Sequence, residues 1–399
     1  MQRTTTSLYV PLWLIAAAVL ATLPLDAARL SAAEAPRKKL IEFGWDTPDT
    51  KQLRENVATM EKSPFDGVVV YAMTNATPQA PATHLMWETW GPRTFRFDEF
   101  TSAVADLKAT PFKTFTDNFV RVNITPGKSD WFDDKVMANV AANFGVAAQI
   151  AKQGGVRGLM FDTEQYESQI FEYPKQQHAK TKSHTEYRDK VRQRGQELMR
   201  AISAHYPDIT IITTFSHEVA TWPNNTPIAQ ANYGMIGDLV DGMLDECGPQ
   251  ATIVNGFELS YGFKEPKEFA EARELMRIGL KQQSRSPEKY AAHLRVGFGL
   301  WMDNKQQTKG WNVSNFSTNH FSPEEFEKSL DQALVHSDGY VWLYTEKPRW
   351  WKAAAPAERE ALPQPYFDAV VRARAKAAAK AASPQDGKQA RRNSARSAE

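Results

Sequence analysis

Cysteine is nearly absent from this chain. Its 399 residues include one, Cys247, so no intrachain disulfide can form, and a catalytic thiol finds no supporting motif. Net charge is nearly absent as well, at +1; this excludes the basic stripe of a nucleic-acid binder and the acidic excess of a disordered chain. The eight histidines are scattered, with no His-x-His or His-x-x-x-His pair, so no metal site is expected. No Gly-x-Gly-x-x-Gly element follows a strand and no phosphate-binding P-loop occurs, so no cofactor is expected. There is no internal repeat, and beyond the N-terminus no run is apolar enough to span a bilayer.

What is present begins with an export pattern. Arg3 precedes an apolar run from Leu8 to Leu25, and Ser31, Ala32 and Ala33 offer a cleavage site before Glu34. Residues 1–33 therefore read as a cleavable signal peptide, and the mature protein is expected to be secreted or periplasmic, with no stable membrane span after cleavage. Pro11 and Pro24 weigh against the alternative, an uncleaved anchor. Residues 373–399 are dominated by Ala, Lys, Arg, Ser and Gln and read as a solvated helix end passing into a basic disordered tail, unpacked beyond about residue 373.

Between these ends, residues 38–372 alternate apolar strand-like runs with amphipathic helical stretches, eight of each. That is the pattern of a single α/β domain, a (β/α)8 TIM barrel. The expected strands are residues 40–46, 66–74, 119–125, 156–162, 209–216, 252–258, 295–302 and 339–346. Thr47-Pro48 reads as the start of the first helix, and Ser322 with Glu325 as a capping box opening the seventh. The stretch 233–248 is ambiguous, but Leu239, Met243 and Cys247 recur every fourth residue, which selects helix over strand.

In such barrels function gathers at the carboxyl ends of the strands, and here those ends are polar. The segment VRGLMFDTEQY places Gly158, Met160, Asp162 and Glu164 on one strand face, so two acids converge. Either acid has a structural alternative, as a helix cap or as a partner of Arg121 or Arg157. Glu42, Gly44 and Asp46 share a face at the end of strand one, beside Trp45; Arg121 and Asn123 share one on strand three; Thr213, Phe215 and His217 on strand five. Strand six ends at Glu258 with Tyr261 beyond, strand seven aligns Trp301 with Asp303, and strand eight aligns Trp342 and Tyr344 with Glu346. Hydrolysis of a glycosidic bond needs two carboxyl groups flanking it, and flat indole and phenol rings suit sugar faces. The catalytic candidates are Asp162, Glu164, Glu258 and Glu346. The binding candidates are Trp45, Asp46, Asn123, His217, Tyr261, Trp301, Asp303 and Trp342.

With these residues the chain resembles secreted bacterial TIM-barrel glycoside hydrolases over about residues 38–352, without matching one family throughout. Asp162, Glu164, Tyr261 and Trp342 are similar to the chitinase-type set, in which strand four ends in D-x-x-D-x-D-x-E; only the last D-x-E is present, because Met160 stands where an aspartate would. Asp162 and Glu258 are similar to the α-galactosidase-like arrangement of a nucleophile ending strand four and an acid/base ending strand six. Glu164 and Asp303 are similar to a third pattern, with acids on strands four and seven, although Thr163 replaces its Asn and Asp303 its Glu. The resemblance implies an oligo- or polysaccharide partner. Two rival classes stay open: a carbohydrate-binding barrel without turnover, and a structural or partner-binding envelope protein whose acids pair with Arg121 and its neighbours.

Overall fold

The computed structural model describes residues 37–220, 226–305, 310–351 and 360–382. The expected signal peptide, residues 1–33, and the segment 383–399 lie outside the described residues. Among the described residues no helix is long and apolar enough to cross a membrane.

Short β-branched and apolar runs form the strands: β1 (Lys39–Glu42), β2 (Gly67–Val70), β3 (Phe119–Asn123), β4 (Gly158–Asp162), β5 (Thr210–Thr213), β6 (Thr252–Asn255), β7 (Leu294–Val296), β8 (Phe298–Trp301) and β9 (Tyr340–Tyr344). All pair in parallel, in the order β7-β6-β5-β4-β3-β2-β1-β9-β8. The two ends of that order are consecutive in the chain, joined by Gly297, whose N–H donates to Asn255 O at 2.8 Å. β7 pairs with β6 and β8 with β9, so these two short strands are one stave of an eight-stave barrel. The expected eight strands are all found, the seventh broken at Gly297.

Alternation divides the apolar side chains between two cores. Ile41, Phe43, Val69, Phe119, Met160, Ile212, Val254 and Trp342 fill the barrel interior. The opposite faces, among them Leu40, Val68, Val120, Leu159 and Ile211, pack under the helices. Trp342 is the largest interior side chain and is fully buried. A Cβ on Gly299 would meet its ring at 2.4 Å and one on Gly256 its Nε1 at 2.7 Å, so glycine at these positions makes room for the indole.

The principal helices are α1 (Thr50–Met60), α2 (Thr101–Ala109), α3 (Asp134–Gly154), α4 (His184–His205), α5 (Ile236–Asp245), α6 (Pro266–Glu274), α7 (Pro287–His293), α8 (Pro323–His336) and α9 (Gln364–Ala382). The helical reading of the ambiguous stretch holds as α5, and Ser322 and Glu325 form the expected capping box on α8. The first helix starts later than Thr47-Pro48 suggests, because Asp49 and Gln52 form its capping box. The tail expectation is corrected over its first ten residues: α9 runs to Ala382, with Tyr366, Val370 and Ala373 fully buried. Its basic residues are held as well. Arg374 pairs with Asp66, Arg372 and Lys376 with Glu327, and Lys380 with Asp331. Composition alone could not show that these lysines and arginines meet acids elsewhere in the fold.

Candidate active site

β4 delivers the centre of the site. Its face alternates by depth: Met160 sits in the barrel core, Asp162 ends the strand above it, and Glu164 follows on the loop. On the neighbouring strand Arg121 Nη2 donates to Asp162 Oδ2 at 2.6 Å, and Tyr166 OH donates to the same oxygen at 2.9 Å. Asp162 Oδ1 accepts from Glu164 N at 3.1 Å and more distantly from Thr214 Oγ1 at 3.5 Å. Each of these partners of Asp162 is a donor, as a carboxylate requires. The Arg121 guanidinium lies over the Phe43 ring at 4.8 Å and faces Trp87 at 5.7 Å, and Arg121 Nε donates to Asn123 Oδ1 at 2.9 Å. Burial works against the guanidinium's charge, but the phenol and carboxylate neighbours led by Asp162 outweigh it and hold the group above its ordinary range.

β6 delivers the third acid by a different route. The strand stops at Asn255, and Phe257 adopts a left-handed conformation, φ 42° and ψ 63°, before a 3-10 turn begins at Glu258. Glu258 N donates to Thr214 O at 3.0 Å and Trp342 Nε1 to Gly256 O at 2.9 Å. Burial pushes the Glu258 carboxyl well above the usual carboxylate range; Asp162 and Glu164 push it further, and Tyr261 and Arg121 oppose them. Burial also raises Glu164, with Tyr166 and Arg121 opposing and Asp162 adding to the rise.

These groups share one cavity of about 490 Å³ at the carboxyl ends of the strands. Its lining includes Asp162, Glu164, Glu258, Arg121, Tyr261, Glu346, Trp301 and Tyr344, and the exposed rings of Trp45, Trp87 and Tyr166 stand at its mouth. Trp45 is 60% exposed, Trp87 38% and Tyr166 46%; large exposed rings at the mouth of a polar cavity offer flat apolar faces to a ligand. Trp45 is anchored by its Nε1–H to Tyr344 OH at 2.8 Å, and Trp87 meets Tyr166 edge-on at 5.7 Å. Among the described residues no group of three or more His, Cys, Asp and Glu side chains is arranged to hold a metal ion.

No family model matches the chain, and no curated protein matches it. Solved structures do align with it. GH5_18 from Streptomyces cattleya in complex with GlcNAc aligns at 12% identity and TM-score 0.45, over 88% of this chain and 82% of that one. The exo-β-1,4-mannosidase Op5Man5 from Opitutaceae bacterium strain TAV5 aligns at 11% and 0.47, over 88% of this chain and 61% of that one. Active domain 2 of a chitinase from Pyrococcus furiosus aligns at 11% and 0.42, over 85% and 96%. At such identities and scores the alignments assign no residue a role.

Of the expected site residues, Asp162, Glu164, Glu258, Glu346, Trp45, Tyr261 and Trp301 come together in the cavity wall. Glu346 is tied to Lys305 at 2.6 Å. Five others do not line the cavity. Trp342 is on the inward face but one layer too deep. Asn123 is fully buried behind Arg121. Asp46 lies in the turn beyond β1, fully buried, and accepts from Trp350 N at 2.5 Å. His217 faces the helices, with Nε2 2.9 Å from Asp241 Oδ1 on α5. Asp303 caps the chain after β9, accepting from Glu346 N and Lys347 N and from Trp301 Nε1. Trp87, one of the tryptophans whose rings suit sugar faces, also lines the cavity, and so do Arg121, Tyr166, Thr214 and Tyr344, which are not among the catalytic or binding candidates. Arg121 and Thr214 were detectable from strand parity, since each lies two residues beyond an inward core residue, Phe119 or Ile212. Trp87 and Tyr166 stand outside the strands, where alternation gives no guide.

Proposed function

We propose that the protein is a glycoside hydrolase acting on an oligo- or polysaccharide, with Asp162 and Glu258 as its working pair. The observation that carries this reading is the unequal state of acids in one cavity: Asp162 is matched to a guanidinium, while Glu258 is raised by burial and by two neighbouring acids. Two carboxyl groups with opposed environments are what acid and nucleophile roles require. Glu258 carries the proton to the glycosidic oxygen as the bond to the anomeric carbon breaks. Asp162 Oδ1, which accepts from Glu164 N at 3.1 Å and more distantly from Thr214 Oγ1 at 3.5 Å, faces the developing positive charge as nucleophile or stabiliser. Water then takes the glycosyl group, and Glu258 recovers its proton from that water. Tyr166 gives its proton to Asp162 Oδ2 and the Glu164 backbone N–H donates to Asp162 Oδ1, so the loop after β4 orients Asp162. Arg121 offsets the charge that three acids would place in one space, Trp45 and Trp87 offer stacking faces at the mouth, and Glu346 with Lys305 forms part of the rim. Export to the periplasm or beyond fits the N-terminal pattern and a polymeric substrate.

The tie between Arg121 and Asp162 also favours a second reading, in which the acids hydrogen-bond hydroxyls without turnover. Incubation with a panel of polysaccharides and aryl glycosides, with release of sugar or phenol followed alongside binding to a glycan array, separates the two. Release supports hydrolysis, binding without release supports the second reading, and neither response contradicts both. An envelope-protein reading would be favoured by all three acids in salt bridges; among the described residues Asp162 has one, with Arg121, and none is found for Glu164 or Glu258.

A further inference from the structure

We propose that Glu218 is a positioning residue for Glu258, acting through the side-chain amide of Asn255 on the left-handed turn at Phe257. The inference rests on the reading of Glu258 as the acid, but its first link is a matter of hydrogen-bond direction alone. A bulky L-residue in the left-handed region is strained and persists only where its surroundings over-determine it. At Phe257 the surroundings are specific. Its N–H donates to Asn255 Oδ1 at 3.0 Å, its carbonyl accepts from Ser260 N at 3.0 Å, and its ring is fully buried.

The Asn255 amide has two ends, and only one can serve Phe257. An N–H needs the oxygen; the amide nitrogen presented there would set donor against donor. Glu218 decides the matter. Its carboxyl, fully buried on the 3-10 turn after β5, accepts from Asn255 Nδ2 at Oε2, 2.7 Å, and from Ser216 N at Oε1, 2.9 Å. With both oxygens accepting, the Asn255 nitrogen is drawn to Glu218 and its oxygen is left for Phe257. The next residue along is Glu258, so the rotamer of a buried amide is linked to the place where an acid enters the cavity. Glu218 itself does not line that cavity.

This logic predicts a swap. Glu218→Gln keeps the shape but replaces one acceptor by a donor, so either Ser216 N or Asn255 must face a donor. Adding Asn255→Asp restores every pairing with the direction reversed. In that double variant the new amide accepts from Ser216 N and donates to the new carboxylate, whose other oxygen accepts from Phe257 N. Amide hydrogen exchange at Phe257 reads the first link. It is expected to quicken about tenfold in Glu218→Gln, the factor worth one net hydrogen bond, and to return in the double variant. A 13C-carboxyl NMR titration reads the second. The Glu258 midpoint is expected to fall by about one pH unit in Glu218→Gln as the loosened turn gains water, and to fall also in Asn255→Leu, which changes no charge. Unchanged exchange at Phe257 in folded Glu218→Gln overturns the inference, as does a Glu258 midpoint that stays put in Asn255→Leu. Failure to recover protection in the double variant also overturns it. None of these readouts uses turnover, so they stand or fall separately from the hydrolase reading; normal turnover by Glu258→Gln would remove that reading instead.

Discussion

Glu258 is a carboxyl group placed among carboxyl groups, and its folded state favours the proton. The linkage has a definite sign. A group whose folded pKa lies above its ordinary value of 4.5 contributes its full stability below that ordinary value and loses it as pH rises through the folded pKa. Ionised Glu258 in the folded site is therefore a liability at neutral pH, by about 1.4 kcal/mol for each unit by which its pKa is raised. Glu258→Gln removes the liability and keeps the shape. Thermal melting is expected to show the variant more stable than the native chain at pH 7–8, with the gain shrinking to nothing as pH falls toward about 4.5. A gain independent of pH, or greatest in acid, would mean that the carboxyl is not strained by its surroundings. Glu218 is raised by the same cause, burial, so the chain retains some of this dependence after Glu258 is replaced.

At the scale of the strand, alternation gives the face but neither its sign nor its depth. The rule that residues i and i+2 share a face brought Asp162 and Glu164 together correctly. The same rule groups Asp46 with Glu42 and His217 with Thr213, but both lie beyond their strands and turn away from the cavity, Asp46 to Trp350 N and His217 to Asp241 on α5; the inward sets are Ile41, Phe43 and Trp45 along one stave and Ile212 and Thr214 along the other. One buried residue of known direction would have fixed the parity, but an isolated strand in which both faces are apolar does not supply it. Depth misled the reading at Trp342, since Tyr340, Trp342 and Tyr344 share a face and only the last reaches the cavity. Glu258 is legible although it lies beyond β6, because it keeps the parity of the inward Val254. α9 shows the limit of composition in another way. Its Ala- and Lys-rich sequence reads as a solvated tail, yet Tyr366 is fully buried, donating to Phe321 O at 2.5 Å and accepting from Asn319 Nδ2 at 2.9 Å. Tyr366→Ala is expected to cost about 3–5 kcal/mol, in the range for removing a large buried ring. Denaturant unfolding checks this, and a loss under about 1 kcal/mol would show that α9 is not part of the cooperative unit.

Over the whole molecule, the barrel makes the chemistry local. Residues from β3, β4, the β5 end, the turn after β6 and β9 are far apart in sequence and meet only because parallel staves all present their carboxyl ends to one side. The architecture was readable from eight apolar runs and the helical spacing between them. Arg121 was open from sequence as a partner of either strand-four acid; that it takes Asp162, and the network from Glu218 to Glu258, depend on register between strands that local sequence does not encode. The most direct measurement is turnover by Asp162→Asn and Glu258→Gln on a glycoside that the native protein cleaves, with thermal melting to establish that each variant is folded. Each substitution is expected to lower kcat by about 10² or more, the lower bound of what acid–base catalysis contributes. Near-native turnover in both folded variants would contradict the assignment of the reaction to this pair.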